Sequence, residues 1–223
     1  MSTETVEQLE VEVKETESLL SKRRRKIISD PLDDDNPITI QVLGICSALA
    51  VTVKMMPTLV MALAVIFVTV FSNLIISILR NVIPNRVRII VQLAVVASLV
   101  ILVDQVLRAY LYDVAKVVGV YVGLIITNCI IMGRLEAFAM GNKPWDSVLD
   151  GLGSGFGYSW IILAVAFFRE LFGSGSIFDF KVFEAIGWSS YQANGLMVSP
   201  IGAFIILGLI IWVQRYKNGY VEH

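Results

Sequence analysis

The stretch GLIITNCIIMGR, residues 123–134, sets a cysteine, Cys129, inside an apolar run directly after the polar pair Thr127 and Asn128. The run around it covers residues 117–132, about 16 positions, whereas a helix rising 1.5 Å per residue needs about 20 to cross a hydrocarbon core of about 30 Å. How this run is read decides the fold. Five further apolar runs flank it, at residues 38–53, 55–79, 89–107, 152–171 and 196–213, separated by short polar or charged breaks. The first is as short as the fourth, and it carries the only other cysteine, Cys46, in LGICSALAV (residues 43–51). The pattern predicts an all-α integral membrane protein of six transmembrane helices, with the first and fourth spans short or interrupted.

Composition agrees with a membrane chain. Of 223 residues 56% are hydrophobic, against 45–50% in soluble domains, and the mean hydropathy is +0.74. The net charge is −1, and Lys and Arg gather at segment ends instead of forming a basic stripe, so no nucleic-acid footprint exists. The expected partners are lipid and other membrane chains. Three regions follow: a charged tail over 1–35, a membrane domain over 36–215 and a short tail over 216–223. The head holds six glutamates by residue 17, then SKRRRK and DPLDDD; behind a Thr5–Gln8 capping box, Val6, Leu9, Val13 and Leu20 can line one face of a short helix, and a disordered tail fits the composition equally. The head lacks the apolar core of a cleavable signal, so the first apolar span is expected to direct insertion and the mature chain to be the whole chain. The head, the second and fourth loops and the C-terminal tail carry 13 of 18 cations. By the positive-inside rule both termini are predicted to be cytoplasmic.

Six spans divide into three and three. An odd number of crossings makes the second trio enter from the opposite face, so any repeat is an inverted-topology one. Setting cysteine on cysteine aligns LGICSALAV with IITNCIIMG (residues 125–133). Interrupted spans at matching places in two inverted halves point to a midplane site, which predicts Cys46 and Cys129 near mid-membrane across a pseudo-two-fold axis.

On residue chemistry alone the cysteines admit two readings. A free cysteine is a small, often buried hydrophobe and needs no further role. A symmetric thiol pair can instead ligate a soft metal; a [2Fe–2S] cluster takes four thiolates, so a chain with two must share the site at an interface. At most one disulfide is possible and the apolar setting does not favour it. The sole histidine is His223, which disfavours bis-histidine haem, histidine-rich zinc and histidine acid–base chemistry in the membrane.

Two carboxylates are candidates for a cation path. Asp104, in LVDQVLRAY, is costly at depth when ionised, although an interfacial pair with Arg108 one turn on is the plainer expectation. Asp150 shares a helix face with Asp146 if KPWDSVLDGLG is helical; a solvated loop is the plainer expectation. Arg169 and Glu170 read as an interfacial charge pair after the fifth span. The run DGLGSGFG (residues 150–157) lacks both the G-x-G-x-x-G and the P-loop spacing. Its pairs Gly151 with Gly155 and Gly153 with Gly157 suit close helix packing. Trp145, Trp160, Trp188, Trp212, Tyr216 and Tyr220 fall near span ends, as an aromatic belt does.

The chain resembles a known family through NPITIQVLGICSALAVT, SNLIISILRNVIPNRVRIIVQLAVVASLVILVDQ, GLIITNCIIMGRLEAFAM and FFRELFGSGSIF. These blocks, within about residues 36–215, are similar to the membrane proteins that include the D subunit of the sodium-translocating NADH:quinone reductase and the E subunit of the Rnf complex. The resemblance implies a multi-pass protein of the bacterial inner membrane, paired with a homologous E subunit in a complex with subunits A, B, C and F. It implies that Cys46 and Cys129 supply two thiolates to a [2Fe–2S] cluster shared between subunits. That cluster relays electrons between flavins while the complex oxidises NADH, reduces ubiquinone and exports Na+. NADH, FAD, FMN and ubiquinone then belong to other subunits. No Ser-Gly-Ala-Thr type of sequence occurs, so no covalent flavin is expected on this chain, which is not catalytic in isolation. A stand-alone inverted-repeat carrier with incidental cysteines, or a structural scaffold, would keep its activity without those thiols.

Overall fold

The computed structural model describes residues 27–32, 36–84, 86–110, 112–177, 180–181 and 195–218. Eight α-helices occur there: α1 (Ile45–Val51), α2 (Met55–Leu79), α3 (Arg88–Tyr110), α4 (Tyr112–Ile126), α5 (Cys129–Arg134), α6 (Pro144–Ser174), α7 (Gly195–Val198) and α8 (Pro200–Asn218). A 3-10 turn covers Asp30–Leu32, and a π-helical turn, Leu135–Ala139, continues α5. A two-stranded antiparallel ribbon pairs β1 (Ser176–Ile177) with β2 (Phe180–Lys181), Ser176 opposite Lys181. The proposed capping box at Thr5 and Gln8, and Trp188, Tyr220 and His223, lie outside the described residues.

The spine of the protein is α2 packed along α6. Pro144 opens α6 at a position where its missing N–H costs nothing, and Gly175, at φ 69°, closes it in the left-handed conformation. Between these ends the alternating glycines serve two different neighbours. A Cβ at Gly151 would sit 3.2 Å from the Val70 Cα, and one at Gly155 3.2 Å from the Ile66 Cα, so this pair lets α2 approach backbone to backbone. Gly153 and Gly157 face the chain before α1: a Cβ at Gly153 would meet the Ile28 carbonyl at 3.0 Å, and one at Gly157 would overlap the Pro31 carbonyl. Met61, Val65, Val68 and Ile76 of α2 join Ile161, Ile162 and Val165 of α6 in the buried core, with Val96 and Val100 of α3 in the same cluster. Arg88 and Gln92 of α3 hold Glu136 of the π turn, Gln92 Nε2 donating at 3.0 Å.

The six-helix, three-plus-three inverted arrangement expected from the sequence does not stand. Among the described residues four helical stretches are long and apolar enough to cross a membrane: Met55–Leu79, Arg88–Tyr110, Tyr121–Ala139 and Pro144–Ser174. The first apolar run fails because residues 36–44 fold as turns and leave α1 only seven residues, about 10 Å of helix. The last run is interrupted at Ser199 and Pro200, so it divides between the four-residue α7 and the apolar stretch Pro200–Tyr216 of α8, which is not among the four. Apolar composition runs through these breaks, while backbone geometry does not. The region read as a loop around Asp146 and Asp150 is also helical, since α6 begins at Pro144 and buries both side chains.

Apolar side chains also cover the outside, as in a protein surrounded by lipid or other subunits. Ile89, Ile90 and Leu102 of α3, and Ile201, Phe204 and Leu209 of α8, are exposed. Trp212 stacks on Tyr216 at 6.3 Å between ring centroids.

Candidate functional site

Cys46 is delivered by a turn built on Asn36. The Asn36 side chain accepts from the backbone N–H of Ile38 at 3.0 Å and of Thr39 at 3.4 Å, while its Nδ2 donates to the Gly157 carbonyl of α6 at 3.2 Å. The chain then turns through Val42, at φ 58°, and Gly44, at φ 77°. A β-branched residue in this region is an outlier. Both left-handed residues lie within four positions of the thiol. Gly44 precedes α1, and Ser47 donates back to its carbonyl at 2.8 Å.

Cys129 is delivered by a break in the helix. Helix α4 stops at Ile126 within the fourth apolar run, and Asn128, in extended conformation, caps α5, its Oδ1 accepting from the Ile130 N–H at 3.3 Å. A side-chain oxygen at this position satisfies one of the donors that a helix start leaves open. Cys129 is therefore the first residue of a new helix rather than a mid-helix side chain.

These two segments are neighbours. A Cβ at Gly133 would lie 3.0 Å from Leu43, and one at Gly44 would lie 3.2 Å from Asn128 Oδ1 and 3.1 Å from the Tyr158 ring. Tyr158, fully buried on α6, links the two sides. Its hydroxyl is 2.7 Å from Ser47 Oγ, next in the chain to Cys46, and lies within hydrogen-bonding reach of the Asn128 side chain. Asn128 is 1% exposed, and its Nδ2 has no partner among the described residues apart from that hydroxyl. Tyr158 lies about 21 Å from the start of α6 and about 24 Å from its end at 1.5 Å per residue, so the junction sits near the middle of the central helix.

Both cysteines are unpaired thiols, and both are exposed at the surface of this chain. No cluster of three or more His, Cys, Asp or Glu occurs among the described residues. Two soft donors exposed at neighbouring turns suit half of a four-thiolate cluster site and are too few ligands for a whole one.

The other sequence candidates lie elsewhere. Asp104 accepts from Arg108 Nε at 2.8 Å, one turn along α3. Asp150 is buried on α6 and takes both prongs of the Arg134 guanidinium, Nε at 3.1 Å and Nη2 on the other oxygen. Arg134 also stacks over Phe138. Neither carboxylate joins the cysteine junction.

Arg169 and Glu170 act separately, contrary to the charge pair expected between them. The Glu170 carboxylate accepts from the N–H of Met55 at the start of α2, where a negative charge suits the helix dipole. Arg169, 1% exposed, donates to the Leu49 carbonyl and Thr52 Oγ1 at the end of α1, and to the carbonyls of Met197, Val198 and Ser199 around the end of α7. One guanidinium thus ties the far end of the cysteine-bearing α1 to α6 and to the turn before α8. Sequence reading misses this clamp and also Tyr158. The only signals are a charged pair inside FFRELF, on a helix that continues past it, and one hydroxylated ring in a glycine-rich run.

Comparison with known proteins decides the family. Residues 24–211 match the family described as Rnf-Nqr subunit, membrane protein. The chain belongs to the Rnf-Nqr family. This Rnf-Nqr protein is 56% identical over 206 residues to the D subunit of the Na(+)-translocating NADH-quinone reductase of Pasteurella multocida, covering 91% of this chain and 98% of that protein. It is likewise 56% identical over 198 residues to the protein of the same name from Photobacterium profundum, covering 87% of this chain and 93% of that one. The family match begins at residue 24, ahead of the boundary near residue 36 suggested by the quoted motifs, and so takes in the packed segment 27–32.

Proposed function

We propose that this chain is the D-type membrane subunit of a sodium-translocating NADH:quinone reductase, in which Cys46 and Cys129 supply two thiolates to a [2Fe–2S] cluster completed by a homologous E subunit. The family match and the two relatives support the membership, and the junction of the two cysteine-bearing breaks carries the assignment of the thiols. Both thiols reach the surface of the chain from neighbouring turns near the middle of α6, where a second protein can meet them.

When bound, such a cluster supplies a one-electron carrier within the membrane. The chain contributes rigidity and access. Gly44 brings the Cys46 turn against Asn128, the Asn128 cap fixes the start of the Cys129 helix, and Tyr158 with Ser47 fills the space behind them. The buried side of the junction is closed to water, while the exposed side is left for the partner. Arg169 anchors the other end of α1, so the turn carrying Cys46 is held at both ends. NADH, FAD, FMN, ubiquinone and the chemistry on them reside in the other subunits, A, B, C and F among them, and this chain takes part in Na+ export as a non-catalytic member of the complex. The chain is a multi-pass protein of the bacterial inner membrane.

The test is paramagnetic resonance on the intact reduced complex. A [2Fe–2S] signal lost in both Cys46→Ala and Cys129→Ala, with the subunits still assembled, is the expected result. Full NADH-driven quinone reduction in either variant would overturn the assignment of the thiols.

A further inference from the structure

We propose that Tyr158 is a positioning residue for the two thiols. Its hydroxyl is the middle link of a head-to-tail chain of hydrogen bonds that joins the start of the Cys46 helix to the start of the Cys129 helix and holds them as one unit. The inference rests on the reading of Cys46 and Cys129 as cluster ligands.

The direction of each bond follows from counting protons. Ser47 has one hydroxyl hydrogen, and it goes to the Gly44 carbonyl at 2.8 Å. The Ser47 oxygen can then only accept across its 2.7 Å contact with Tyr158, so the phenol is the donor there. The phenol oxygen keeps a lone pair for the Asn128 side chain, which lies within hydrogen-bonding reach. Asn128 meets it with Nδ2, because a phenol that has given its proton to Ser47 can only accept, and because Oδ1 already accepts from the Ile130 N–H at 3.3 Å. The chain therefore runs from Asn128 through Tyr158 and Ser47 to the Gly44 carbonyl without a reversal. Each end is fastened to backbone at a helix start. Gly44 precedes α1, its carbonyl also accepting from the Ala48 N–H at 3.1 Å, and Asn128 caps α5. Ser47 follows Cys46, and Asn128 precedes Cys129. Ser47, Asn128 and Tyr158 are 2%, 1% and 0% exposed, so water does not compete for these bonds, and a buried network whose members are satisfied holds one geometry. A phenylalanine at this position would fill the same space without the link.

The experiment uses the whole complex with Tyr158→Phe, which keeps the ring, and with Ser47→Ala, which opens the same chain one link on. Ser159→Ala is the reference, since that buried hydroxyl serves the carbonyls of Gly155 and Ala62 outside the chain. Amide hydrogen exchange is read at Ala48 and Ile130, one at each end, and the reduced cluster is read by paramagnetic resonance. Tyr158→Phe and Ser47→Ala are expected to speed exchange at both ends by about tenfold, the loss of about one hydrogen bond, and to shift the g values of the cluster. Ser159→Ala is expected to do neither. Faster exchange at one end alone or at neither overturns the proposal, as do unshifted g values with both ends loosened. If Tyr158→Phe and Ser47→Ala both fail to assemble while Ser159→Ala assembles, the chain serves folding alone and the positioning role is overturned. Absence of a cluster from the unmodified complex fails the parent reading instead, while exchange at the two ends still decides whether the chain couples them.

Discussion

Replacing Gly44 by alanine should loosen the cysteine junction more than any comparably small change elsewhere in the described residues. Two costs add. At φ 77° a Cβ meets the following carbonyl, which costs about 1–2 kcal/mol. The same Cβ lies 3.1 Å from the Tyr158 ring and 3.2 Å from Asn128 Oδ1, so one of them must give by a few tenths of an ångström. Tyr158 is fully buried and tied to Ser47, and Asn128 is held as a cap. Neither yields freely, and overpacking of this kind costs about 1–3 kcal/mol. The sum is about 2–5 kcal/mol. For a chain of this size, where about 1 kcal/mol moves a transition by about 2–4 °C, the unfolding temperature should fall by about 4–20 °C. The assay is thermal unfolding of the purified complex, with Gly119→Ala as the reference. A Cβ at Gly119 has nothing within 4 Å, so that change should be neutral or slightly stabilising through helix propensity. Equal transition temperatures for Gly44→Ala and Gly119→Ala would refute the reasoning.

Other perturbations follow from the same contacts. Gly157→Ala drives a methyl into the Pro31 carbonyl and should displace segment 27–32 from α6, read as faster protease cleavage near residue 30, whereas Gly208→Ala, with open space around it, should leave cleavage unchanged. Arg169→Met strips five hydrogen bonds, one buried and four part-buried, and should cost more than about 3 kcal/mol; Arg169→Lys should recover little, because an ammonium cannot span the fork of acceptors. Arg134→Ala leaves Asp150 buried without its guanidinium and should destabilise by about 3–5 kcal/mol, while the double variant with Asp150→Ala should be more stable than that single one in the same thermal assay.

Composition and charge placement carry the membrane character, and α2 follows its apolar run, 55–79, end to end. The crossing number is harder to read, because hydropathy counts side chains while continuity of a helix depends on single backbone positions. Gly44 and Val42 turn the chain by left-handed φ, Asn128 ends one helix and caps the next, and Pro200 opens α8 after a break. None of these lowers the local hydropathy enough to interrupt an apolar window. The fifth run errs the other way: Asp146 and Asp150 look like loop residues, yet Pro144 starts the helix ahead of them and Arg134 neutralises Asp150 from a distant segment. In the site, the thiols stand out because the chain has only two. The support behind them does not, since Tyr158, Asn36 and Arg169 act through contacts more than a hundred residues apart in sequence.

The most direct test of the account is stoichiometric. Iron and acid-labile sulfide are measured on this chain expressed with and without a homologous E subunit. Two thiolates fill half of a [2Fe–2S] site, so the account predicts two irons and two sulfides per heterodimer and none on the chain alone. A cluster retained by the chain alone, or a heterodimer without iron, would contradict it.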